Sequence, residues 1–440
     1  MHRLPLYLLP SILLAQPSPD QSQILQRLDR LEQQNRMLLE EVRELRQQIA
    51  ATRQQPEVTP SPSLEERVDV QEKRTEEQSQ TKVEASQKFP LSITGMALFN
   101  AFITGRNNNG FENPTAAAAV AGPATSGATF RQTIIGLKYE GPQAFGATIR
   151  GMVLMDLFQG SSASLNHLLR LRVANLSMDW KNQSLSVGQD KPLISIREPN
   201  SLSQVGVSAF TGTGNLWLWQ PQVRFEQRVA LGPNTGLRAQ ASVYQTAESS
   251  TDVPAQFAAS LERSRPALQG RFEVWRQFEN GGRIEIAPGF HTSTTHVAAT
   301  SVPSRLFTLD WSIQPLVKWK LVGMFFTGEN PDNMGSLRQG FTVLGLRNVI
   351  PVHGSGGWAQ LSYSPTKRLT VSVMNGQVDG RNADLRPGAI GKNLQSASNL
   401  QYRLAPNVFL GFEASQIRTT YLGIGKRLNN HYDLALAYLF

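Results

Sequence analysis

From Leu91 onward apolar residues recur at alternate positions, and no apolar run there approaches the ~18 residues of a membrane-spanning helix. The stretch "HYDLALAYLF" shows the pattern best: Tyr432, Leu434, Leu436, Tyr438 and Phe440 share one parity, and mostly small or polar residues hold the other. Successive side chains of a strand point to opposite faces, so such a strand has one apolar face from end to end. The same alternation sets Ala147, Ile149, Val153, Met155 and Leu157 against Thr148, Arg150 and Asp156. It sets Val223, Phe225, Val229 and Leu231 against Arg224, Glu226 and Arg228, and Val317, Trp319, Leu321 and Phe325 against Lys318 and Lys320. Between 168 and 180 the parity slips, from Leu169, Leu171 and Val173 to Leu176, Met178 and Trp180, which predicts a bulge near Ala174.

Turn-like breaks divide this region into strands. Short ones stand at 140–143, 181–183, 232–235, 279–282, 314–315, 364–366 and 405–407. Longer polar stretches stand at 105–127, 159–167, 191–220, 246–266, 292–304, 328–354, 378–393 and 423–430. Seven short and eight long connections imply sixteen strands. A soluble sandwich would also alternate, but an even strand count, short turns at one rim, long loops at the other and aromatics near strand ends are the signature of an outer-membrane barrel. Those aromatics are Tyr139, Phe145, Trp180, Trp311, Trp319 and Phe409. The fold expected for 91–440 is all-β: a 16-stranded antiparallel transmembrane β-barrel, preceded by an N-terminal α-helical coiled coil.

The segment before the barrel has three parts. Residues 1–15, "MHRLPLYLLPSILLA", give a basic start, an apolar stretch and a small residue before Gln16, the pattern of a secretory signal peptide cleaved after Ala15. Within 16–55, Leu28, Asn35, Val42 and Ile49 fall at heptad position a and Leu31, Leu38 and Leu45 at d. That is a coiled coil whose register Asn35 would fix. "RLDRLE" at 27–32 resembles a motif of three-stranded coils, whereas Val42 and Ile49 at a with Leu at d favour two strands; the barrel reading tips the expectation to three. Residues 56–90, rich in Gln, Glu, Ser and Pro, read as a polar spacer. The chain has no cysteine, so no disulfide is expected.

This order of parts resembles the trimeric porins of Gram-negative outer membranes, and most closely the DcaP-like porins with an N-terminal periplasmic coiled coil. The stretches that carry the resemblance are "LSITGMALFNAF", "LSVGQDKPLI", "GNLWLWQPQVRFE" and "LALAYLF". The resemblance implies a homotrimer in outer-membrane lipid, a passive channel for small hydrophilic solutes that often prefers anions, and a third loop folded inward. It transfers no catalytic residue. The terminal aromatic resembles the signal by which the outer-membrane assembly machinery recognises its clients.

Charge supplies the remaining functional clue. Residues 1–90 hold 12 Lys or Arg and 14 Asp or Glu, so the barrel carries 31 basic and 20 acidic residues, a net charge of +11. By parity Arg150, Arg170, Arg172, Arg224, Arg228, Arg238, Arg271, Lys318 and Lys320 face the lumen, and Lys191 and Arg197 stand in the third long loop. Cationic rings in a narrow passage favour small organic anions, and the planar guanidinium fork suits carboxylate and phosphate. The expected eyelet consists of Arg150, Arg172 and Arg224 with Arg197 or Lys191. An alternative stays open, because Glu226, Glu273 and Asp156 share this parity and a ladder of salt bridges would rigidify the wall instead.

Other chemistries find little support. The six histidines have no cysteine partners and His291 and His296 lie five apart in a predicted loop, so no metal site is expected. "HTSTTH" at 291–296 specifies no catalytic triad, and "GIGK" at 423–426 lacks the full phosphate-loop spacing. Neither an enzyme nor a cofactor is expected. Basic residues dispersed on alternating strands do not make a nucleic-acid groove. A second reading makes the barrel an anchor and the coil a structural tether across the periplasm.

Overall fold

The computed structural model describes residues 90–110, 112–160, 167–245, 266–297, 300–336, 340–345 and 347–440. The expected signal peptide, coiled coil and spacer lie outside the described residues.

Sixteen antiparallel strands close into one barrel. They are β1 (Leu91–Thr104), β2 in two pieces (Thr125–Thr129 and Ile134–Ala144), β3 (Ala147–Gln159), β4 (Leu168–Asp179), β5 (Gln183–Asp190), β6 (Gln220–Gly232), β7 (Thr235–Tyr244) and β8 (Ala267–Gln277). The circuit continues through β9 (Arg283–Val297), β10 (Thr300–Leu316), β11 (Trp319–Glu329), β12 (His353–Tyr363), β13 (Leu369–Gly380), β14 (Ile390–Ala405), β15 (Val408–Tyr421) and β16 (Gly425–Leu439). Each strand pairs with its sequence neighbours, and β1 closes against β16 from Met96 opposite Leu439 to Thr104 opposite His431. The Phe440 amide donates to the Gly95 carbonyl at 3.1 Å and the Gly95 amide to the Phe440 carbonyl at 2.9 Å. A side chain at Gly95 would run into the Phe440 ring, so the closing aromatic needs a glycine beside it.

The alternation resolves into an outward apolar face. On β16, Leu434 and Leu436 are 49% and 46% exposed while Ala435 and Ala437 between them are 0% and 1% exposed. Leu268, Phe272, Val274, Phe290, Phe307 and Phe325 extend this outward apolar surface over β8 to β11. Such a surface is stable against lipid and not against water.

Several boundaries differ from expectation, each for a local reason. "EGPQ" at 140–143 lies inside β2 as a register shift between Glu140 and Gln143. The turn itself is Phe145–Gly146, both at positive φ (53° and 73°) as a two-residue hairpin requires. "QP" at 314–315 likewise sits in a register shift between Ile313 and Leu316, and the chain turns at 317–318. The predicted long loops at 292–304 and 423–430 are mostly strand: β9 runs to Val297, β10 resumes at Thr300, and β16 begins at Gly425. Runs of Thr and Ser look like loop but extend well, because β-branched threonine suits a pleated sheet. Beyond the apolar belt the β9–β10 hairpin gains a partner: Val297 and Val302 pack with Phe341 of a small hairpin, Phe341–Gly345 with Asn348–Pro351. The parity slip in β4 is real but falls at Arg172, which the register skips between Leu171 and Val173, two residues from the expected Ala174.

Candidate pore constriction

The connection from β5 to β6, residues 191–219, folds into the barrel and touches the wall nearly all the way round. The Leu193 amide donates to Gln269 Oε1 on β8 at 2.8 Å, and the Asn200 amide to Gln360 Oε1 on β12 at 2.7 Å. Asn100 on β1 donates to the Leu202 carbonyl at 2.9 Å, and the Val205 and Gly206 amides both donate to Gln132 Oε1, at 2.7 and 2.8 Å. On β14, Asn393 donates to the Gly212 carbonyl at 2.8 Å and Gln395 accepts from Thr213 Oγ1 at 3.0 Å. Phe210, Leu216 and Ile194 of the loop bury against Met324, Phe326, Trp358, Met374 and Val378, so the apolar core of this barrel lies inside it under the loop. Gly214, at φ +121°, passes so close to the Gly357 carbonyl that no side chain fits.

Nine of the eleven cationic residues expected at the pore are ion-paired. Along β6 to β10 a ladder runs from Arg224 with Asp190 (3.9 Å) through Arg228 with Glu226 (3.6 Å) and Arg238 with Glu226 and Glu273 (3.6 and 3.5 Å). It ends at Arg271, which is fully buried and holds Glu273 and Asp310, each at 2.7 Å. Arg197 carries the ladder onto the inward loop by donating to Asp310 at 2.5 Å, Glu285 at 2.9 Å and Glu273 at 3.3 Å. Lys191 pairs with Glu198 within the loop at 2.7 Å.

On the adjoining strands β3 and β4, Arg170 donates to Asp156 at 2.6 Å and to the Gly206 carbonyl, and Arg172 lies 3.7 Å from the same carboxylate. Their guanidinium groups stack on Trp219, at 5.1 and 4.7 Å from its centroid, so Trp217 and Trp219 pack against cations inside the barrel. Arg150 stands apart, close to the Phe145–Gly146 turn, half exposed and paired with Asp179 at 3.0 Å. In the first long connection Glu112 accepts from Arg131 at 2.7 Å, yet burial holds its carboxyl above the usual carboxylate range.

Lys318 and Lys320 differ: among the described residues neither has an ion-pair partner. They line a cavity of about 430 Å³ beneath the inward loop, with Arg197, Glu198, Asn200 and Gln360. Ser312, Ser362, Ser364 and Thr370 add hydroxyl groups to its wall. Sequence reasoning missed Asp310, Glu285 and Arg283, although the alternation around "FTLDW" and "RIEIAP" places all three on the inward parity. Among the described residues no group of three or more His, Cys, Asp or Glu side chains gathers as a metal site.

This geometry agrees with solved outer-membrane channels. The chain is similar to the outer-membrane channel DcaP of Acinetobacter baumannii, with a TM-score of 0.64 and 16% identity over 80% of this chain and 97% of that one. The chain has the porin fold. An anion-selective porin from Comamonas acidovorans shares it at a TM-score of 0.54 and 11% identity, over 80% of this chain and 99% of that one. OprB of Pseudomonas putida does so at 0.51 and 9%, over 82% and 96%. No protein-family model matches the sequence, and no curated protein does. At such identities the porin likeness is one of fold.

Proposed function

We propose that this chain is an outer-membrane porin through which small hydrophilic solutes diffuse passively, with a preference for anions set beneath the inward loop. The observation that carries the reading is the contrast between compensated arginines and uncompensated lysines. An ion-paired guanidinium adds little net potential, because its carboxylate partner cancels its field a few ångströms away. Lys318 and Lys320 border open space without such partners, so they dominate the field that a passing ion meets. The remaining cations, Arg150, Arg170, Arg172, Lys191, Arg197, Arg224, Arg228, Arg238 and Arg271, would shape the passage and fix the loop. We further infer a homotrimer with the coiled coil in the periplasm, the arrangement implied by the sequence resemblance.

The test is the zero-current potential of the purified protein in a planar bilayer under a salt gradient. The wild type is expected to be anion-selective, with conductance steps in groups of three. Lys318→Gln with Lys320→Gln should lower the anion-to-cation permeability ratio several-fold while the steps persist. An unchanged ratio would sink the assignment of selectivity to this cavity; no conductance in the wild type would sink the porin reading.

A further inference from the structure

On β13 to β16 the outward face is built of level rows of different chemistry. Leu400, Phe412 and Leu434 are register partners on β14, β15 and β16, and they are 40%, 49% and 49% exposed. Four residues further along each strand a polar row crosses the same face: Asn375, Ser396, Gln416 and Asn430 are successive partners on β13 to β16. Asn375 donates to Ser396 Oγ at 2.8 Å, and Gln416 to Asn430 Oδ1 at 3.0 Å. Beyond that row stand three exposed cations, Lys392, Arg418 and Lys426. Lys392 and Lys426 flank Thr420 in register, about 10 Å apart at two strand spacings, and Arg418 lies two residues from Thr420 on the same face. Three long side chains can therefore converge on one group. The β14–β15 turn at 406–407 and the Phe440 closure lie at the opposite rim, so the order apolar, polar, cationic runs toward the long-loop, extracellular rim.

The second observation is the lack of compensation. No acidic residue shares the outward parity on β14, β15 or β16. Among the described residues neither Arg418 nor Lys426 has an ion-pair partner; Arg418 Nε donates to Gln416 Oε1 at 2.7 Å. Lys392 meets Asp379 of β13 at 3.4 Å with both side chains nearly half exposed, a contact that water weakens. On β10 to β12 the outward charge at this rim is matched instead, since Arg305 meets Glu329 at 3.6 Å.

A phosphorylated glycolipid presents acyl chain, sugar and phosphate in the order of these rows. Guanidinium and ammonium groups bind phosphate oxygens, and amide side chains both donate to and accept from sugar hydroxyls. A phospholipid would use the cations but would bring no sugar to the amide row. We propose that Lys392, Arg418 and Lys426 bind the phosphate of a phosphorylated glycolipid of the outer leaflet, with its sugar against Gln416 and Asn430. The inference rests on the outer-membrane placement and not on conduction, because lipid retention is read without a channel measurement.

The experiment incubates the full chain, purified in detergent and stripped of lipid, with bisphosphorylated lipid A, the same lipid A without its phosphates, or phosphatidylglycerol. Retained lipid is counted by native mass spectrometry. The wild type is expected to retain bisphosphorylated lipid A several-fold better than either other lipid. Arg418→Gln/Lys426→Gln should lose that advantage, and Arg305→Gln should keep it. Equal retention by the wild type and the double variant, or equal losses in both variants, would overturn the proposal. Lipid A held as well without its phosphates would overturn it, as would phosphatidylglycerol held as well as lipid A. A double variant that loses its oligomeric state while keeping lipid A would assign this face to a second copy of the chain and overturn it equally. Should the double variant fail to fold, the three lipids compared on the wild type still decide.

Discussion

The two sides of the lumen solve the problem of interior charge in opposite ways. On β6 to β10 nearly every cation that faces inward meets a carboxylate on a neighbouring strand or on the loop, and Arg271 at the centre is wholly buried between Glu273 and Asp310. On the β10–β13 side Lys318 and Lys320 line a cavity with hydroxyls, amides and the already paired Arg197 and Glu198, and neither lysine has an ion-pair partner among the described residues. The first wall spends its charge on architecture, since paired groups fix the loop and one another. The second keeps two lysines without an ion-pair partner among the described residues. Basic residues of one parity are therefore not equivalent, and their count measures neither stability nor selectivity until partners are known.

The largest effect that would break this comparison belongs to the paired wall. Arg271→Leu removes one partner and leaves Glu273 and Asp310 buried with less compensation, which is expected to destabilise the barrel by about 3–5 kcal/mol. Denaturant unfolding from lipid vesicles measures it, and a loss no larger than that of a surface variant would mean that the ladder is not structural. Next comes Arg197→Gln, which removes the ionic link between the loop and β8–β10 while the Leu193–Gln269 hydrogen bond stays. Losing charge-assisted hydrogen bonds should cost roughly 2–3 kcal/mol and make the conductance noisier, as the loop leaves its seat. Lys318→Gln and Lys320→Gln are expected to change stability by no more than about 0.5 kcal/mol, since neither lysine has an ion-pair partner to lose. Their effect should appear in the permeability ratio alone.

The barrel was readable because period-two alternation survives over many strands, and β16 displays it without interruption from Tyr432 to Tyr438. Boundaries were less readable where polar residues have two possible meanings. Thr292 to Ser304 reads as loop by composition, yet its threonines and serines continue the β9–β10 hairpin beyond the apolar belt, where neither face must be apolar. "EGPQ" reads as a turn because proline and glycine punctuate turns, but here they sit in a register shift within a strand. The slip at Arg172 left its trace in the leucine pattern. The ion-pair partners of the cations left none. Arg197 and Asp310 meet at 2.5 Å although they are 113 residues apart, and no local spacing encodes that contact. For the same reason the sequence could not tell Lys320, with no ion-pair partner among the described residues, from Arg238, with two carboxylates.

Salt provides the smallest and sharpest discrimination between the two walls. The Debye length falls from about 8 Å at 0.15 M to about 3 Å at 1 M ionic strength, and screening acts on charges that water and ions can reach. Lys318 and Lys320 border a cavity open to such ions, so their field at the pore axis should collapse over that range. Arg271 is inaccessible, and its contacts with Glu273 and Asp310 lie at 2.7 Å, inside any screening length. The anion-to-cation ratio of the wild type should therefore decline as salt rises, whereas the unfolding free energy that depends on Arg271 should barely move. Reversal potentials at a fixed concentration ratio but increasing mean salt give the first quantity. Unfolding of the wild type and Arg271→Leu at the same salts gives the second. A selectivity indifferent to salt would place its source among the buried pairs, and the division of labour between the two walls would fail.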